Sequence, residues 1–123
     1  MHNTMKSMDS DKMVRVYTRL KALRDNLPDS FQVNEKYVSE YHSLVNELST
    51  ITGSALDEFN VSSQEIKPKL VAVALGGGGR QYSNDCYCER PLLLAKIDAL
   101  LSYFQITFLS EDKQRIGFRL TEE

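Results

Sequence analysis

Apolar residues recur along the first part of the chain at the period of an α-helix. Met13, Val16, Leu20, Leu23 and Leu27 are separated alternately by three and four positions, the pattern of one buried seam. Val14 and Tyr17 widen that seam, and Ser10 or Asp9 offers a start. Pro28 predicts an end at Leu27, because the residue before a proline avoids the helical region. A second run follows the connector "PDSFQV". Tyr37, Tyr41, Leu44, Leu48 and Ile51 again alternate four and three apart, with Val38 and Val45 beside them. Asn34 is placed as its N-cap, Val33 and Val38 as a hydrophobic staple, and Gly53 as the residue that closes it. Two such helices joined by a short turn predict an antiparallel hairpin.

The middle of the chain is less regular. Leu56, Phe59 and Val61 read as isolated anchors, and Pro68 bars a helix from running through it. The segment "KLVAVAL" after it fits a short strand or an extended apolar arm. Pro91 then suits the first turn of a third helix, "RPLLLAKIDALLSYFQI". Leu93, Ile97, Leu100 and Phe104 form one row, Leu94 and Leu101 another, and Leu92 and Tyr103 leave little of its circumference polar. A helix of that kind is central in a fold or shared with another subunit. Alternation of Ile106 and Phe108, and of Ile116, Phe118 and Leu120, around a polar turn predicts a β-hairpin at the C-terminus. The expected fold is therefore mainly α: an antiparallel helical hairpin plus a third apolar helix, forming a helical bundle, with a small C-terminal β-hairpin. Residues 1–9 lack periodicity and read as a flexible tail. Residues 10–123 read as a single domain with a flexible glycine-rich loop at 76–85.

Composition narrows the function classes. The 123 residues carry a formal net charge of -2, which excludes the strong basic excess of a generic nucleic-acid binder. The charge is unevenly spread. Residues 1–27 hold six basic and three acidic side chains, residues 28–66 one and seven, and residues 67–123 eight and seven. The basic first segment and acidic second segment can neutralise each other by packing side by side. The start of the chain has no apolar core of a signal peptide, and no stretch is apolar enough to span a membrane. A cytoplasmic setting with reduced thiols is the expectation.

The stretch "ALGGGGRQYSNDCYCERP" is the one that resembles a chemical signature, and it fails the patterns it suggests. A phosphate-binding loop needs Lys-Ser or Lys-Thr at the start of a helix, whereas Gln81 follows Arg80 here. A dinucleotide fingerprint would place its last glycine on Gln81 or Tyr82. Four glycines, Gly76 to Gly79, favour a mobile connector, which is also what an engineered linker would supply. Arg80 and Tyr82 are its residual candidates for binding a ligand. Cys86 and Cys88 share a face only if their segment is extended, and the chain offers just His2 and His42 to complete a zinc site. No metal and no cofactor are therefore expected.

Three further features remain. Lys12, Arg15, Arg19 and Arg24 give the first helix a basic face that could meet phosphates, although it has no interleaved aromatics. His42 lies near Ser39 and Ser43 but has no orienting third group, so it reads as structural. Asp98 interrupts the apolar third helix, and a carboxylate buried there would need Arg24 or Arg90 as partner. No catalytic pair or triad can be assembled. The expected role is a non-enzymatic interaction or adaptor module, working through Leu93, Ile97, Asp98, Leu101 and Phe104 of the third helix. Its expected partner is a second copy or another protein, with no membrane involved. The alternatives are a nucleic-acid-binding regulator using the basic face, and a small enzyme or nucleotide sensor using the glycine loop.

Overall fold

A computed structural model describes residues 2–73 and 79–109, with side chains described for 11–73 and 79–107. Helix α1 spans His2–Asn26, so the backbone of residues 2–9, read as a tail from sequence, continues the helix. Strand β1, Gln32–Asn34, leads directly into α2, Glu35–Thr52. Two 3₁₀ turns, Asp57–Phe59 and Ser63–Glu65, carry the chain to strand β2, Lys67–Val73. Strand β3, Arg80–Glu89, returns antiparallel to β2 and passes without a break into α3, Arg90–Phe104.

The two long helices end where local chemistry stops them. Asn34 sits in an extended conformation and its side chain accepts a hydrogen bond from the Lys36 N–H at 2.9 Å, satisfying one of the free donors of the first turn. At the other end Gly53 takes φ +74° and its N–H bonds Ser49 O, the left-handed closure that glycine adopts at least cost. The predicted seams become the core. Val16, Leu20, Tyr41, Leu44, Leu48, Leu93, Ile97, Leu100 and Phe104 are all fully buried. Tyr17 and Phe104 meet ring to ring at 5.2 Å, which joins α1 to the end of α3.

The fold is mainly α, but the β element differs from the one expected. A C-terminal hairpin starting at Ile106 and Phe108 is not formed, because α3 runs on into a π turn, Gln105–Leu109. Gln105 donates to the Tyr17 hydroxyl at 2.9 Å, tying that turn to α1. The second half of the expected hairpin, Ile116, Phe118 and Leu120, lies outside the described residues. Instead, three strands in the order β1-β3-β2 form an antiparallel sheet. Val33 pairs with Cys88, and both point their side chains into the helices. The Arg90 N–H donates to Phe31 O at 2.6 Å, fixing the start of α3 beside β1. The expected loop at 76–85 is thus strand from Arg80 onward, and the glycine run links two paired strands. Gly76 to Gly78 lie outside the described residues.

Candidate interaction edge on the β-ribbon

Near Cys88 the sheet has helices on one face, and Cys88 is buried there while Cys86 is half-buried. Farther from α3 that cover ends. Of β2, only Lys69 is partly shielded, and Leu70, Val71 and Val73 are 48%, 56% and 58% exposed. Tyr82, opposite Leu70 on β3, is 53% exposed. Hence β2 and the first half of β3 form a two-stranded ribbon that stands clear of the core and carries apolar side chains into solvent. Four such residues in one place differ from the scattered apolar residues of any surface.

The base and the tip of this ribbon are built differently. At the base, Lys67, Pro68 and Lys69 occupy the outer strand, and lysine and proline are the residues that discourage a further strand from joining an edge. The Lys69 N–H donates to Ser83 Oγ at 3.0 Å, and that hydroxyl donates to Asp85 O at 2.6 Å. Because the Lys69 N–H turns toward β3, Pro68 is at an outward position, where its missing N–H interrupts no pairing within the sheet. Lys69 also holds its Nζ 4.2 Å from the centre of the Tyr87 ring. Beside it a cleft of about 240 Å³ is lined by Gln32, Glu65, Lys67, Lys69, Tyr87 and Glu89 among others. Its charges are mixed, two of each sign among those six, so it selects neither an anion nor a cation. The tip, Leu70 to Val73, has no proline and no charge. Among the described residues nothing pairs with the outer side of β2, which is the free edge of the sheet.

Sequence reasoning directed attention elsewhere. Of the basic face on α1, Arg19 bonds Glu47 of α2 at 3.0 Å, and Arg24 bonds Asp98 of α3 at 2.5 Å. The hydrogen bond and the charge of Asp98 raise the Arg24 pKa above its ordinary value. Lys12 and Arg15 are exposed. The face is therefore partly neutralised within the chain, by Glu47 from the acidic segment 28–66 and by Asp98 from outside it. Asp98 finds Arg24, one of the two partners named for it, but it does so on the surface, with half of its side chain exposed. The premise that it is buried does not hold. Leu93, Ile97 and Phe104 are fully buried inside the chain's own core, so that face of α3 has no surface left for a partner. Only Asp98 and Leu101 of the five residues reach solvent. Strand β3 and the 3₁₀ turn Asp57–Phe59, whose Phe59 ring meets Tyr103 at 5.2 Å, add cover to α3 beyond the two amphipathic helices.

Arg80 and Tyr82 are brought to the exposed part of the ribbon, but opposite Val73 and Leu70 and outside the cleft. They are placed for contact with a surface, not for enclosing a small molecule. Cys86 and Cys88 do share an extended segment, and burial first, then Glu65 and Glu89, push the Cys88 thiol above its ordinary value, which keeps it protonated and unreactive. Among the described residues no group of three or more His, Cys, Asp or Glu converges on one point. His42 is structural: its Nε2 accepts the Val61 N–H at 2.9 Å, and burial lowers its pKa. The residues that sequence reasoning missed are Leu70, Val71 and Val73. Their signal was legible as an apolar run immediately after Lys-Pro-Lys, but nothing in it says which side of the strand is covered.

Compared with known proteins, the chain matches no family model, no curated protein and no solved structure. Function is therefore argued from the geometry. No helix among the described residues is long and apolar enough to cross a membrane.

Proposed function

We propose that this protein is a non-enzymatic interaction module that engages another protein chain along the tip of its β-ribbon. The observation that supports it is the set of four half-exposed apolar side chains, Leu70, Val71, Val73 and Tyr82, on and beside a strand edge that is unpaired among the described residues. Such an edge gives affinity through main-chain hydrogen bonds and specificity through alternate side chains, the mode of strand addition. The contact is offered by the ribbon, not by the apolar row of α3, which the core consumes. A regulator using the α1 face is less well supported, since Glu47 and Asp98 already occupy Arg19 and Arg24.

The test is affinity capture from the native host with the wild-type chain and with a Val71→Lys/Val73→Lys variant, both positions being exposed enough to accept lysine without unfolding. The expected outcome is a protein retained by the wild type and lost by the variant. Equal capture by both, at equal thermal stability, would refute the ribbon as the site.

A further inference from the structure

We infer that Ser83 is a positioning residue for the ribbon, a latch that sets the angle at which the apolar tip stands to the core. This rests on the ribbon reading above and names what holds that site in place. The pairing of β2 with β3 is not regular. Pro68 lies opposite Cys86 and Leu70 opposite Tyr82, so Ser83, Asn84 and Asp85 together face Lys69 alone. Beyond it the pairing shifts again: Leu70 and Ala72 stand opposite the adjacent residues Tyr82 and Gln81, which leaves Val71 unmatched on β2. Extra residues of this kind open the ladder locally, bend the strand and raise its twist. The ribbon is therefore jointed at Lys69 and residues 83–85, and Leu70, Val71, Val73 and Tyr82 all lie on the far side of that joint.

The near side of the joint is fastened to the helices. The Cys86 N–H donates to Glu35 Oε2 at 3.0 Å, and Asn34 Nδ2 donates to Asp85 Oδ2 at 3.2 Å. Both partners stand at the start of α2. From there the Ser83 hydroxyl reaches across. It donates to Asp85 O at 2.6 Å and accepts the Lys69 N–H at 3.0 Å, which ties the fastened residue to β2 where the ladder is open. A hydroxyl can do this because it is donor and acceptor at once, and alanine is neither. Strand addition favours an edge already held in one orientation, since ordering a swinging tip subtracts from affinity. Ser83 thus acts on the partner through Lys69 and the tip.

The joint is tested first on the full chain alone. Nitroxides are placed at Val73→Cys and Glu40→Cys in a Cys86→Ser background, and the distance between tip and α2 is read by electron–electron resonance. The distribution should be narrow, and Ser83→Ala should broaden it while the melting temperature moves little. Hydrogen exchange at the Lys69 amide should quicken about 2- to 10-fold in Ser83→Ala, the range for one neutral hydrogen bond, and return to the wild-type rate in Ser83→Thr. In the capture experiment, Ser83→Ala should retain several-fold less of the protein held by the wild type, and Ser83→Thr should restore it. Distances and Lys69 exchange that Ser83→Ala leaves unchanged overturn the latch, whatever Val71→Lys/Val73→Lys does to capture. A loosened tip with undiminished capture overturns the positioning role, and leaves the ribbon reading standing if Val71→Lys/Val73→Lys still loses the partner. Capture indifferent to Val71→Lys/Val73→Lys overturns the ribbon reading and the positioning role with it, even where the tip loosens.

Discussion

Replacing Tyr41 by phenylalanine removes one hydroxyl from the centre of the molecule and leaves the ring packed as before. The Tyr41 side chain is fully buried, and its Oη lies 2.7 Å from Phe59 O and 3.1 Å from Lys96 O. One hydroxyl proton serves those two carbonyls, one from the irregular connector and one from α3. Without it, Lys96 O keeps the bond of its own helix, and Phe59 O loses this donor in a partly buried place. A buried acceptor left without its bond costs about 1–3 kcal/mol, beyond the smaller net worth of the bond itself. Against a total stability of about 5–15 kcal/mol for a single domain, that is a large fraction. The expected loss for Tyr41→Phe is about 2 kcal/mol, read as a lower urea midpoint at unchanged slope by circular dichroism. Tyr41→Leu should cost more, because it adds a cavity to the lost bond. Faster hydrogen exchange should appear first at the connector amides of the 3₁₀ turn around Phe59, whose N–H bonds Leu56 O, and less at Val61, whose N–H is held by His42 Nε2. A Tyr41→Phe loss below about 0.5 kcal/mol would refute the claim that this hydroxyl pins the connector.

His42 makes stability depend on pH. Its pKa is lowered in the folded state, so the unfolded chain binds the proton more tightly, and the contribution is complete above the ordinary value of about 6.5 and lost as pH falls below it. Protonation also removes the Nε2 lone pair that accepts the Val61 N–H. Urea midpoints should fall between pH 7.5 and pH 5, and His42→Gln should flatten that slope. At Gly53, φ +74° with nothing within 4 Å of an added Cβ means that Gly53→Ala pays backbone strain alone, about 1 kcal/mol, while Gly53→Asn recovers part of it. Equal midpoints for Gly53→Ala and wild type would contradict that. Asp98→Asn breaks an exposed, salt-screened pair with Arg24, so the melting temperature should move by no more than a few degrees at low salt and by less at high salt.

Much of the helical architecture is a property of the sequence alone. The four- and three-residue spacings of Val16, Leu20 and Leu23, of Tyr41, Leu44 and Leu48, and of Leu93, Ile97, Leu100 and Phe104 each define one buried face without reference to any other part of the chain. Asn34, Gly53 and Pro91 mark boundaries for equally local reasons: a side-chain acceptor, a left-handed conformation and a missing N–H. Tertiary structure decided what those faces meet. The row on α3 looked available to a partner because sequence pattern does not record that β3 and the 3₁₀ turn Asp57–Phe59 also pack on this helix. Asp98 looked buried because its neighbours in sequence are apolar, although its position on the helix turns it outward to Arg24. Alternation at Ile106 and Phe108 suggested a strand, yet the helix carries on past Phe104, where Gln105 reaches the Tyr17 hydroxyl. Strand pairing depends on contacts between distant residues, so β1, three residues long, left no periodicity to detect. Nor could the run after Lys-Pro-Lys declare whether Leu70, Val71 and Val73 would be covered. That was decided by where the helices stop, and the ribbon extends past them.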